Sequence, residues 1–344
     1  MKKVWNMITF VLIVLFMSCN NASPDERNMY NNYYDESIGV RDSSLLFYVL
    51  VRVCREWGIS FGWFNFITIT FAFILIISCI SRYVKAWGFV ISLYFIAGAI
   101  LDVSYYRQFL AAAIVIYGFC YILGSAKHPY KYIACVLLAS TLHLAMISYM
   151  VFVLIVLEKK QRRKVIAVIG ILSVVMIGGT LLNDRVMPGI RLVARYIKSD
   201  LKLQQYISVA SGRFGWMYMA VLCMGCIFVT KVMQSMLNRR VMDGEREQRQ
   251  CMRSLYDINV ISVVFIPLCV MYFSVFSRLY RPLIWTNLLA LAMVVEKIPA
   301  RKLNLKWLCC AAGYVAYVFG VYHIIIADWV RFGKVIFKGT FFWI

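Results

Sequence analysis

The sequence predicts an all-α protein that threads a membrane many times, with about 10–11 membrane-crossing or re-entrant helices. Three observations predict it. Of the 344 residues, 62% are hydrophobic, well above the roughly 45–50% of a soluble domain. Mean hydropathy is +0.74. Apolar runs near the length that crosses a bilayer, about 20 residues, follow one another with only short charged clusters between them. No compositional break marks a soluble domain, so residues 1–344 read as a single polytopic membrane domain.

Lys2 and Lys3 precede an apolar run from Val4 to Met17. It reads as a first membrane helix or as a signal peptide; Phe16-Met17-Ser18-Cys19 loosely resembles a lipoprotein processing site. Either way the next segment, 20–59, is expected outside. It is polar and aromatic, with Asp25, Glu26, Tyr30, Tyr33, Tyr34, Asp35, Glu36 and Asp42, and its stretch Leu45 to Trp57 reads as an amphipathic surface helix. Spans are then predicted at 60–81, 86–101 and 105–124. The loops between them carry Arg82 and Lys85, then Lys127 and Lys131, and fit the cytoplasmic side.

The stretch 132–157 decides the topology. A single crossing would place the cluster Lys159, Lys160, Arg162, Arg163 and Lys164 outside, and later Arg239, Arg240, Arg246, Arg249 and Arg253 as well. That inverts the usual bias of Lys and Arg toward the cytoplasm. Two half-helices that enter and return keep both clusters inside, with the turn near Thr141-Leu142-His143. Irregular backbone at such depth requires surrounding protein or a water-filled cavity. Further spans are expected at 165–182, 214–234, 256–277, 281–296 and 307–327. On this topology 183–213 is an external loop, 235–255 a cytoplasmic loop, and the tail after Asp328 external.

The net charge of +21 would suggest nucleic acid in a soluble protein. In a membrane chain, cytoplasmic loops account for most of it, so nucleic acid is not an expected partner. Eleven cysteines suggest no disulfide framework, because most lie inside apolar runs, where Cys acts as a small hydrophobe. With only His128, His143 and His323 available, no metal site is expected. No cofactor is assigned.

Several arginines fall where the sorting rule does not put them. Arg107, with Gln108, starts a span on its external side. Arg278 and Arg281 interrupt the short external turn Phe276-Ser-Arg-Leu-Tyr-Arg-Pro, and Arg213 closes the external basic loop. An arginine at a helix end can simply snorkel to the interface. Guanidiniums gathered at one face from three places instead suit an anion, because each presents a planar fork of donors to phosphate oxygens. Lipid headgroups are the plain occupant, and a lipid-linked diphosphate is the sharper one. His143, in an apolar segment, reads either as a packing residue or as a functional group, since ionisable side chains in the membrane are costly to keep. His128 reads as an ordinary loop residue and His323 as structural. Asp25, Tyr30 and their neighbours are of a kind that binds sugars, and equally of a kind that simply stays solvated.

Tyr106-Arg107-Gln108-Phe-Leu-Ala-Ala-Ala-Ile, followed by a basic loop and then Thr141-Leu142-His143, resembles the EpsG family of Wzy-like polymerases. So do the external Asp-and-Tyr segment and Arg278-Leu279-Tyr280-Arg281. Leu142 stands where the family usually has an aromatic residue, and Ala145 where Ser is common. The resemblance implies a GT-C-like polymerase architecture in a bacterial inner membrane. It implies glycosyl transfer from an undecaprenyl-diphosphate-linked oligosaccharide, with membrane lipid and a chain-length regulator as further partners. His143, Arg107 and Arg278 are then the catalytic candidates, and Gln108, Arg281, Arg213, Asp25 and Tyr30 the substrate-binding ones. A base would take the acceptor hydroxyl proton, His143 first and Asp25 second. The reaction is expected to be metal-independent.

Three other functions are weighed. An O-antigen ligase-like transferase uses the same donor with a different acceptor. A flippase or transporter of lipid-linked sugars should carry its charges in a central cavity, often with repeat symmetry, and no repeat is visible. A membrane acyltransferase should show an early arginine-rich motif, which is absent.

Overall fold

The computed structural model describes residues 2–19, 33–34, 44–99, 102, 105–182, 215–238, 246–271, 277–297 and 314. The expected external loop 183–213, the expected span 307–327 apart from Tyr314, and the residues Asp25, Tyr30, Arg213 and His323 lie outside them. So do Arg239 and Arg240 of the second basic cluster.

Among the described residues all regular structure is helical: α1 (Lys2–Ser18), α2 (Leu45–Glu56), α3 (Phe61–Ile80), α4 (Trp87–Tyr94), α5 (Tyr106–Leu123), α6 (Pro129–Leu142), α7 (Lys159–Leu182), α8 (Gly215–Asn238), α9 (Arg246–Ile261), α10 (Phe265–Met271) and α11 (Arg281–Lys297). A π turn, Phe95–Ala99, continues α4, and a 3-10 helix, Leu144–Val156, follows α6. Phe61–Ile80, Tyr106–Leu123, Met217–Leu237 and Arg246–Cys269 are each long and apolar enough to cross a membrane. The chain is an all-α polytopic membrane protein.

Two helices form the centre. Every residue of α11 from Arg281 to Val294 is buried, and α5 is buried around most of its surface. The alanines 111–113 make this possible, since small side chains let neighbouring backbones approach without a hydrophobic drive between helices. Gly118 shows how close the approach is: a Cβ there would stand 2.9 Å from the Cys135 Cβ of α6. Polar glue joins α8, α9 and α11, where Asn259 Nδ2 donates to Thr230 Oγ1 at 2.8 Å and to Asn287 Oδ1 at 2.7 Å.

The first segment is built into the bundle. Asn6 donates to the Lys85 carbonyl at 3.0 Å and accepts from the Gly88 amide at 2.8 Å. A Cβ on Gly88 would collide with Asn6 at 2.7 Å. At the other end of α1, Asn65 donates to the Ser18 carbonyl at 3.1 Å.

The stretch 132–157 folds back on itself. α6 starts with Pro129 in its first turn, where the missing N–H costs nothing. It ends at His143, whose extended backbone (φ −151, ψ 108) breaks the helix. Tyr132 donates to the Tyr149 carbonyl at 2.8 Å, and Lys127 to the Ile155 carbonyl at 2.7 Å. These paired positions close toward His143 as their numbers converge, so the limbs run antiparallel and His143 is the tip. The second limb is a 3-10 helix rather than an α-helix.

The hairpin brings its own ends to one end of the bundle. There Arg162 pairs with Asp257 at 2.9 Å, and Ser125 donates its backbone amide to Glu247 at 3.1 Å. Lys85 donates its amide to Glu296 at 2.9 Å, and Lys2 stands 3.7 Å from the same carboxylate. Burial pulls the Lys127 ammonium below its ordinary pKa. This is the basic end.

Two boundaries differ from the sequence expectation. Helix α7 begins at Lys159, inside the basic cluster, because a turn of lysines and arginines can lie on a helix whose later part is apolar. The predicted loop 235–255 is helical at both edges, since α8 runs to Asn238 and α9 begins at Arg246. Cys251, Met252, Leu255 and Ile258 are buried along one face of α9, the spacing of an amphipathic helix. After Ile261 the helix tightens through a 3-10 turn, Ser262–Val264. Pro267 follows and cannot donate back to Val263.

Candidate functional site

At the end opposite the basic one, α5 begins, α11 begins and the hairpin has its tip. Packing fixes their relative level. Gly118 of α5 lies against Tyr132 and Cys135 of α6, and His128 donates its amide to the Tyr121 carbonyl at 2.7 Å. The helices are therefore antiparallel. Three turns back along α5, and as far forward along α6, put Arg107 and His143 at about the same level, roughly 16 Å from that contact. Helix α2 packs on α6 and sets the Phe47 ring 5.7 Å from the Arg107 guanidinium.

Tyr105 is the centre of the site. Its ring takes the Arg278 guanidinium at 4.1 Å and the Arg281 guanidinium at 4.6 Å. Arg278 also donates to the Tyr105 hydroxyl at 3.4 Å. Arg281 is buried and pairs with Asp102 at 2.8 Å. Asp102 accepts in turn from the Tyr94 hydroxyl, and the Tyr94 ring stacks on Trp285 at 3.9 Å. Gln108 donates to the Arg278 carbonyl at 3.0 Å, while its Oε1 is buried with no hydrogen-bond partner among the described residues.

These contacts divide the arginines. Arg281 spends its charge on Asp102, inside the protein. Arg278 is only half-buried, and no carboxylate among the described residues pairs with it. A guanidinium stacked on a ring keeps its in-plane donors available for an anion. Arg278 thus suits ligand binding better than Arg281, which the sequence places beside it without distinction. Close by, Tyr33 donates to the Ile59 carbonyl at 2.6 Å, and burial pushes its phenol up to about 12. It is a hydrogen donor at any physiological pH. Among the described residues no group of three or more His, Cys, Asp or Glu side chains is arranged to hold a metal ion.

The structure brings Arg107, Gln108, Arg278, Arg281 and His143 to one end of the bundle. Asp25, Tyr30 and Arg213 fall outside the described residues. Sequence reasoning missed Asp102, Tyr94 and Tyr105 as parts of the site. Asp102 did carry a signal, as an acidic residue between two apolar runs, where an ionisable group points to function by default. Tyr94 and Tyr105 carried none, because aromatic residues are ordinary near membrane interfaces.

A model of the EpsG family matches residues 4–332. The chain belongs to the EpsG family. As an EpsG-family member it is a membrane protein of the polysaccharide-polymerase type. The match reaches from the first turn of α1 through α11 and so takes in both halves of the site. No curated protein and no solved structure matches the chain.

Proposed function

We propose that the chain joins undecaprenyl-diphosphate-linked oligosaccharide units at the outer face of a bacterial inner membrane. A hydroxyl of one unit attacks the anomeric carbon of another, the bond to diphosphate breaks, and the lipid diphosphate leaves. The basic end faces the cytoplasm in this reading, which follows the usual bias of Lys and Arg. The Tyr105 end then faces outward, where such donors are consumed.

The observation that carries the reading is Arg278. It is a guanidinium seated on Tyr105, held by its backbone and left without a carboxylate partner among the described residues. Fixed donors aimed at growing negative charge do the most for a reaction whose leaving group is an anion. Gln108, which holds the Arg278 carbonyl, and its neighbour Arg107 are assigned to the donor or acceptor, and His143 is the base. Asp25, Tyr30 and Arg213 are assigned to sugar and diphosphate binding on sequence grounds. The glycosyl diphosphate bond already activates the donor, so no nucleotide sugar is required, and with arginines assigned to the leaving diphosphate the reaction is expected to run without metal.

Purified protein in lipid vesicles, given only the lipid-linked repeat unit, is expected to yield a ladder of longer lipid-linked oligomers, unaffected by EDTA. Movement of the lipid across the vesicle without oligomers would make the protein a flippase. Product formed only on a lipid A core would make it a ligase.

A further inference from the structure

Side chains from separate elements converge on the four-residue turn Ser277–Tyr280. Gln108 of α5 donates to the Arg278 carbonyl at 3.0 Å. Tyr149, on the 3-10 limb of the hairpin, donates to the next carbonyl, Leu279. Tyr280 reaches the other way and donates to the Ser262 carbonyl at the break between α9 and α10, at 2.7 Å. So short a turn has almost no backbone ladder of its own, and its buried carbonyls need partners from elsewhere. Here those partners are side chains, and they fix where the turn sits.

Tyr149 differs from the others in what it connects. It lies on the hairpin, about two 3-10 turns beyond the tip at His143. Its ring is locked among Phe152 at 5.4 Å, Phe265 at 5.8 Å and Phe119 at 6.5 Å. From this packed ring the hydroxyl donates to the arginine turn. Helices α5 and α9 both pack against this limb.

We propose that Tyr149 is a positioning residue, tying the hairpin that carries His143 to the turn that carries Arg278. It touches neither reacting atom. It holds the group assigned to the attacking hydroxyl in fixed relation to the group assigned to the leaving diphosphate. Small misplacements of such groups are costly, because the gain from orientation depends on near-attack geometry. The inference rests on the polymerase reading above for the roles of His143 and Arg278, but the tie itself can be measured without it.

Tyr149→Phe keeps the ring and removes only the donor. In the reconstituted assay it should lower kcat about tenfold, the worth of one hydrogen bond to a site that must stay ordered, and leave KM for the lipid-linked unit within about twofold. In an Arg278→Lys background the same change should cost less than about twofold, because no forked guanidinium remains to be misplaced. Equal losses in both backgrounds would reduce Tyr149 to a packing residue and overturn the proposal. The second readout needs no activity. With native cysteines replaced and Arg278→Cys introduced, the rate of modification by a membrane-impermeant thiol reagent reports how firmly the turn is held. Tyr149→Phe should raise that rate several-fold, and Gln108→Leu should do the same. An unchanged rate in Tyr149→Phe, whatever Gln108→Leu does, would overturn the tie. A faster rate with undiminished polymer from Tyr149→Phe would uphold the tie and remove the arginine turn from the polymerisation reading.

Discussion

Asp102→Asn tests the internal half of the site. The change keeps an oxygen that can accept from Tyr94 but removes the charge that Arg281 faces. Arg281 stands 2.8 Å from Asp102, and the two side chains are 4% and 10% exposed. Two unit charges about 4 Å apart attract by about 4 kcal/mol at an effective dielectric of about 20. Removing one partner of a buried pair leaves the other charge uncompensated, which typically costs about 3–5 kcal/mol. Retention of the Tyr94 bond places Asp102→Asn at the low end, about 3 kcal/mol. Arg281→Gln should cost a similar amount, and the double variant should cost much less than the sum, with a coupling of about 2–3 kcal/mol. The assay is reversible unfolding in mixed detergent micelles. In a background that keeps Trp285 and replaces the other eight tryptophans, tryptophan fluorescence is a local probe, because Trp285 stacks on Tyr94 at 3.9 Å. Losses that add to within about 0.5 kcal/mol would mean that the pair is not coupled in the folded protein.

Arg107→Lys keeps the charge but loses the fork, and should shorten polysaccharide chains in cells at equal protein level. Wild-type lengths would remove Arg107 from the site. Gly118→Val would drive a branched side chain into the Cys135 Cβ, 2.9 Å from where a first carbon would sit. It should destabilise the protein by about 1–3 kcal/mol, seen as a lower unfolding midpoint in detergent, whereas an unshifted midpoint would mean that α5 and α6 pack less closely. A cysteine at Gln161, next to the buried Arg162–Asp257 pair, should resist a membrane-impermeant reagent added from outside. Labelling from outside would reverse the sidedness assigned to both ends.

Much of the fold was legible because lipid demands long apolar runs, and these stand out in the sequence without any partner being known. The fold-back at His143 was legible from charge alone, since a straight crossing would have put the cluster at Lys159 on the wrong side. The 3-10 form of Leu144–Val156 was not legible, because an apolar run of this length reads the same in either helix. Helix α9 carried a readable signal in the spacing of Cys251, Leu255 and Ile258, but its four arginine and glutamate residues from Arg246 to Arg253 gave it the look of a loop. At the site, the arginines were visible as charges out of place. The division between them was not, because it depends on Asp102 lying 2.8 Å from Arg281 across 179 positions of sequence. Tyr149 was hidden for the same reason: its hydrogen bond reaches Leu279, and nothing local distinguishes it from a packing tyrosine.

The central claim is that Arg278 meets the diphosphate that leaves. Inhibition of the reconstituted reaction by undecaprenyl diphosphate measures that contact directly, because the product carries the full charge the arginine would stabilise. Arg278→Ala should weaken this inhibition by about 10–100-fold, the range for a charge-assisted hydrogen bond of about 1.5–3 kcal/mol, with a parallel loss in kcat. Its unfolding midpoint should stay near that of the wild type, since Arg278 has no buried carboxylate to abandon among the described residues. Unchanged inhibition in Arg278→Ala, at wild-type stability, would contradict the account.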